Sequence, residues 1–206
     1  MYEKEIETYE TLRLKYQENI AKRMGREQWM EYNEILFSTH SCAIEGNSFT
    51  VDDTRMLREQ GLAMIPVGHS LLECTEMADH FRAFDYMASH LGHTFDETLL
   101  KEVNRLVTEH TIAYRAPDAV AGEYTTVDMA EGDTVFGNHQ TLIARVPKLM
   151  QSTERALADG LHPLIVAARW HDYFEYLVAL FFRIAIQRMK SELAQKRHNS
   201  LPMVFF

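Results

Sequence analysis

Only nine glycines and five prolines interrupt the 206 residues, about 7% of the chain where roughly 12% is usual. A chain so poor in both, with 11 methionines and many Glu, Ala and Leu, is expected to be mostly helical. The few breaks are therefore readable one by one. Glu3 to about Met24 carries a ragged stripe of Ile6, Tyr9, Leu12 or Arg13, Tyr16 and Ile20, and Gly25 ends it. A second helix is expected from about Glu27 to Ile44, stopped at Glu45-Gly46-Asn47-Ser48-Phe49. Thr50-Val51-Asp52-Asp53 and Ser70-Leu71-Leu72-Glu73 read as capping boxes. The first opens a helix that stops at Gly61. The second opens a long helix with Cys74, Met77, Phe81, Phe84, Ala88 and Leu91 inward and Gly92 at its end. Thr94-Phe95-Asp96-Glu97 opens another, with Leu99, Val103, Leu106 and Val107 inward.

The pattern changes between Tyr114 and Asn138. Tyr124–Met129 and Thr134–Phe136 are β-prone and flank Ala-Glu-Gly-Asp, which predicts a hairpin between about residues 122 and 138. Helix resumes from about Ala144 to Asp159, and His162-Pro163 starts a last one. From Leu164 to His198 no glycine or proline occurs, which implies a helix about three times the usual length. Its stripe changes character near Leu177/Val178. Residues 173–186 are apolar almost all round, and Gln187 to His198 is basic and amphipathic. Two helices joined at that point would explain the change. The fold class expected is all-α with one short β-hairpin.

Charge narrows the function classes. The formal net charge is −9, so the chain has no general attraction for phosphate backbones, and no nucleic-acid partner is expected. The basic run Arg183–Arg197 reads as a solvated helix face. Charged residues within the last helix argue against a membrane span. The acidic opening MYEKEIETYETL lacks an apolar run, so a cytoplasmic location is expected. Cys42 and Cys74 lie among apolar neighbours and are expected to be buried, reduced thiols. His90-x-x-His93 has no third ligand at a suitable spacing, and no metal site is expected.

Three stretches, in order, resemble the Fic (Fido) family of nucleotidyl transferases. Ser41-Cys42-Ala43-Ile44-Glu45-Gly46-Asn47 is similar to the family's inhibitory motif, Ser/Thr-x-x-x-Glu-Gly/Asn. Ala121-Gly122-Glu123-Tyr124 followed by Thr134-Val135-Phe136 resembles the entry to the hairpin flap that pairs with a target peptide. His162-Pro163-Leu164 through Ala167-Ala168-Arg169-Trp170-His171-Asp172-Tyr173-Phe174-Glu175-Tyr176-Leu177 resembles the helix leading into the active loop. The likeness covers about residues 30–177. It implies an N-terminal helical segment over 1–30 and a Fic-like domain over 31–206, with an inhibitory helix at about 31–46.

The active-loop motif His-Pro-Phe-x-x-Gly-Asn-Gly-Arg-x-x-Arg does not follow. The sequence passes from Leu177 into Val178-Ala179-Leu180-Phe181-Phe182, and no Gly-Asn-Gly occurs anywhere. Either the loop is deleted, or it belongs to a longer chain. In the second case a large spatial gap is expected between Leu177 and Val178. No catalytic residue is therefore assigned, and His171 falls several residues ahead of the family's catalytic histidine, where a packed or capping role is expected.

The resemblance implies an autoinhibited protein adenylyltransferase, moving AMP from ATP with Mg²⁺ onto a Ser, Thr or Tyr hydroxyl of a target protein. Ser41, Glu45, Gly46 and Asn47 would be inhibitory. Thr134, Val135 and Phe136 would contact the target, and a homo-oligomer is possible. The alternative is a catalytically inactive Fic-like binding or regulatory protein. Glu45-Gly46 also reads as an ordinary helix end with a left-handed glycine.

Overall fold

The computed structural model describes residues 2–128, 130–131, 134–135 and 138–178, with side chains left undescribed at 115, 130–131, 134–135 and 175–178. Its helices are α1 (Glu3–Asn19), α2 (Arg26–Ile44), α3 (Val51–Gln60), α4 (Leu71–Ser89), α5 (Glu97–Thr108), α6 (Ile112–Arg115), α7 (Leu142–Ala158) and α8 (Pro163–Val178). Strands β1 (Ala130–Glu131) and β2 (Thr134–Val135) pair antiparallel.

Both capping boxes form. The Thr50 and Ser70 side chains accept from the third backbone N–H of α3 and α4, and Asp53 and Glu73 reach back to the cap. That reciprocal pairing satisfies two otherwise orphaned donors at each helix start. The central helix α4 packs on α2, α3 and α5, and α7 packs on α8 and α5. One apolar cluster joins Cys42 of α2, Phe49, Leu57 of α3 and Cys74, Met77 and Phe81 of α4. A second gathers Leu142, Val146 and Met150 of α7 with Phe95, Leu100, Tyr124 and Phe174 around them. Cys42 and Cys74 are buried free thiols, and burial pushes the Cys74 thiol up. No residue of α1 is fully buried. It is tied down where Tyr16 Oη donates to Asn33 Oδ1 at 3.1 Å and where His162 Nε2 lies 3.2 Å from Glu10 Oε1.

Several expectations are corrected. Leu91 is exposed rather than inward, because α4 ends at Ser89 and its stripe no longer faces the core. The cap of α5 is Asp96, whose side chain accepts from Leu99 N, and Thr94 lies ahead of it. The first strand falls on Ala130–Glu131 rather than on Tyr124–Met129. Pairing Glu131 with Thr134 leaves only Gly132-Asp133 between the strands, a shorter connection than the four-residue turn expected. His171, expected to be packed or capping, is exposed on α8.

The gap expected between Leu177 and Val178 is absent, since α8 includes both residues. Nothing local breaks it: after Pro163 the segment holds no glycine or proline. Phe136 and the basic segment from Ala179 onward lie outside the described residues. Among the described residues no helix is long and apolar enough to cross a membrane.

Candidate functional site

The end of α2 is built by backbone geometry. Glu45 is the C-cap that follows Ile44, and Gly46 comes next with φ +94°, a conformation that costs glycine little because it has no Cβ. Gly46 N donates to Ala43 O at 3.1 Å and Asn47 N to Cys42 O at 3.0 Å, the paired bonds of a Schellman motif. Ser41 and Glu45 are half-buried and Asn47 is buried. Asn47 is the link outward. Its Nδ2 donates to Glu73 O and to Glu76 Oε2, both at 3.0 Å, and its Oδ1 accepts from Phe49 N at 3.1 Å. The residue after the Glu45-Gly46 pair thus fixes the end of α2 to the first turns of α4.

Glu73 completes the attachment. Its Oε1 accepts from Ser48 N at 3.1 Å and from Ser48 Oγ at 2.7 Å, and its Oε2 accepts from Ser70 N and Ser70 Oγ, both at 2.9 Å. Partial burial pushes this carboxyl up, but the bonds from Ser70 and Ser48 outweigh it and hold it down at about 2. One carboxylate therefore caps α4 and clamps the loop leaving α2. His69 braces the same corner. Its Nδ1 is 3.1 Å from Ser48 Oγ, its Nε2 is 3.4 Å from Asp53 Oδ2, and its ring centroid is 4.1 Å from that of Phe49.

The hairpin stretch is seated elsewhere, on α5 and α7. Gly122 has φ +78°, and a Cβ there would meet Arg105 Cβ at 2.8 Å and Lys101 O at 2.9 Å. Its N–H donates to the buried Asn104 Oδ1 at 2.9 Å. Only glycine fits both the conformation and the space. At the far end of the stretch, Asp128 Oδ1 accepts from His139 N at 2.8 Å and lies 2.7 Å from His139 Nδ1. The His139 backbone N–H, then its ring, hold the Asp128 carboxyl below its usual range. Beside this base opens a cavity of about 460 Å³, walled by Glu97, Lys101, Glu123, Tyr124, His139 and Ile143 among others. Lys101 Nζ is 3.3 Å from Glu97 Oε1, 3.4 Å from Glu123 Oε2 and 4.5 Å from the Tyr124 ring centroid. Burial, then the neighbouring Glu97, raises the Tyr124 hydroxyl well above its usual range. This wall sets two carboxylates, Glu97 and Glu123, against the single ammonium of Lys101, a balance that does not suit an anion.

Asn47 ties the end of α2, which carries Ser41, Glu45 and Gly46, to α4, while Thr134 and Val135 belong to the hairpin, as β2. Sequence reasoning missed Glu97, Lys101, Tyr124 and His139 as a cavity wall. Its one local signal was the four-residue spacing of Glu97 and Lys101 on α5. His90 and His93 face each other, with ring centroids 5.4 Å apart, and His90 Nδ1 lies 2.8 Å from Tyr86 O. Among the described residues no group of three His, Cys, Asp or Glu side chains is placed to hold a metal ion. Nor do the described residues form a glycine-rich phosphate cradle, so they do not by themselves fit ATP and Mg²⁺.

No family model matches the sequence, and no curated protein does. Solved structures do match. A Fic domain containing signaling protein from Bacteroides thetaiotaomicron VPI-5482 superposes with a TM-score of 0.63 and 19% identity, over 77% of this chain and 61% of that one. A Fic family protein from Desulfovibrio desulfuricans G20 gives a TM-score of 0.57 and 19% identity, over 90% of this chain and 54% of that one. The chain therefore has a Fic-like fold, and it spans less than two thirds of the length of either neighbour.

Proposed function

We propose that the chain is the inhibitory and target-presenting portion of a Fic-type protein adenylyltransferase, which transfers AMP to a hydroxyl of a target protein. The reading is carried by the α2 end. A Ser-x-x-x-Glu-Gly-Asn helix terminus, on a fold shared with Fic proteins, holds Glu45 at a fixed place through the Gly46 turn and Asn47. A half-buried carboxylate so fixed would repel a nucleotide's outer phosphate and compete for an arginine that binds it. The hairpin at Thr134–Val135 is the target-binding edge in this reading, since a short two-stranded unit leaves backbone groups open to an added strand. The histidine, the glycine-rich turn and the arginines of the active loop do not occur in these 206 residues. Because α8 runs unbroken through Leu177 and Val178, they cannot be inserted at that junction and would have to come from polypeptide elsewhere, and no chemical step is assigned to residues present here.

That missing motif favours one second reading, a Fic-like binding or regulatory protein without transferase activity. The two separate on the protein expressed from its native gene, by intact mass and labelled ATP. The first reading expects a mass several kilodaltons above 23.9 kDa and at least about tenfold more self-labelling in Glu45→Gly, equivalent to roughly 1.4 kcal/mol of barrier. A mass of 23.9 kDa with no labelling in either protein contradicts it and leaves the binding reading. Labelling that Glu45→Gly does not change removes Glu45 from the mechanism.

A further inference from the structure

Helices α7 and α8 are separated on one side by a groove of about 390 Å³, the volume of a small-ligand site. α7 lines it with Arg145, Lys148 and Ser152, and α8 with Arg169, Trp170 and Tyr173, so each helix contributes one stripe at steps of three and four. Leu149 and Val166 supply apolar lining between them. Three of the lining side chains are cations and none is a carboxylate, in a chain whose net charge is −9. Neither Lys148 nor Arg169 pairs with a carboxylate among the described residues. Like charges gathered on one groove repel each other, and an anion between them would relieve that. The aromatic side is equally defined. Trp170 stacks on Phe174 with centroids 4.2 Å apart, and Tyr173 is 51% exposed.

We propose that this groove binds a small organic anion carrying a planar ring, the acid group on Lys148 and Arg169 and the ring against Trp170 and Tyr173. The volume is too small for a folded partner. The chain's own segment beyond Val178 is the wrong sign to fill it, with Arg183, Arg188, Lys190, Lys196 and Arg197 against Glu192. The overall negative charge disfavours a polynucleotide. The site is separate from the α2 end and the hairpin, and stands whether or not the transferase reading holds.

Phenyl phosphate is a suitable probe, with inorganic phosphate and phenol as its two halves. The chain has only two tryptophans, Trp29 and Trp170, so ¹⁵N-labelled full-length protein gives two indole N–H signals, assigned with Trp29→Phe. Phenyl phosphate is expected to move the Trp170 signal saturably and leave Trp29 still. Phosphate and phenol should each bind at least about tenfold more weakly, because each offers only one of the two contacts. Lys148→Gln/Arg169→Gln should weaken phenyl phosphate by about tenfold or more, and raising salt from roughly 50 to 200 mM should weaken it in the unaltered protein. The salt series decides the point even if the double variant fails to fold. An immobile Trp170 signal overturns the proposal, as does occupation of the groove by the chain's own C-terminal segment. An equal response to phenol reduces the site to an apolar cleft, and an equal response to inorganic phosphate reduces it to a bare cationic patch; either overturns it.

Discussion

At the α2–α4 end of the molecule, three elements converge on one apolar cluster, and the helix ends around it are tied to one another by Asn47, Glu73, His69 and two capping boxes. At the hairpin and α7 end, the apolar cluster is anchored by three residues of one helix, and the ties are single contacts strung along the stretch: Gly122 on Asn104, Lys101 with Glu123 and Tyr124, Asp128 with His139, and Phe95 N on Glu154. Both cavities border α7, and neither is lined by α2, α3 or α4. In the proposed reading, the carboxylate that must stay in one place lies on the clamped side, and the surfaces that receive other molecules lie on the open one.

The contrast can be broken by substitution, with urea denaturation as the measure. Met77→Ala, at a side chain with no exposure, should cost about 4 kcal/mol through lost transfer energy and a cavity. Gly122→Ala should cost about 3 kcal/mol, because its new methyl meets backbone and the positive φ strains it. If Gly122→Ala is silent, the hairpin is not seated on α5. Asn47→Ala removes two donated bonds and an Asx turn, and should cost about 2 kcal/mol. Ile143→Ala, 71% exposed on the open side, should change stability by less than about 0.5 kcal/mol.

Acid supplies a further test of the clamp. The folded Glu73 carboxyl sits at about 2, below its ordinary 4.5, so its contribution is present above pH 4.5 and is lost as pH falls towards 2. Proton binding to the unfolded chain across that window should remove on the order of 2 kcal/mol. In Glu73→Gln that part of the acid dependence should disappear. A variant with the wild-type acid profile would show that Ser48 and Ser70 do not depend on this carboxylate.

The clamped side was largely legible in the sequence because its signals are local. Thr50 with Asp53 and Ser70 with Glu73 stand three residues apart and cap the helices they open, and Gly46 marks the end of α2. What joins those pieces was not legible. Asn47 reaches Glu76 across 29 positions and Ser48 reaches Glu73 across 25, and no periodicity reports such a pairing. On the open side even the strand position was displaced, since two-residue strands carry too little alternation to set register. Gly122 announced the hairpin entry only through a family likeness. Its physical reason, contact with Lys101 and Arg105, became visible with α5 in place. The α7–α8 groove needed both helices, because Lys148 and Arg169 are unremarkable on their own stripes.

Whether Glu45 stands at a fixed helix end is read most directly by amide hydrogen exchange at Gly46 and Asn47. Their N–H groups are bonded to Ala43 O and Cys42 O, and the Asn47 side chain locks the turn to α4. Both amides should therefore exchange slowly, protected by about a thousandfold or more and in step with the core of α4 around Met77. Exchange as fast as that of residues 125–128, with α4 still protected, would contradict a clamped end of α2.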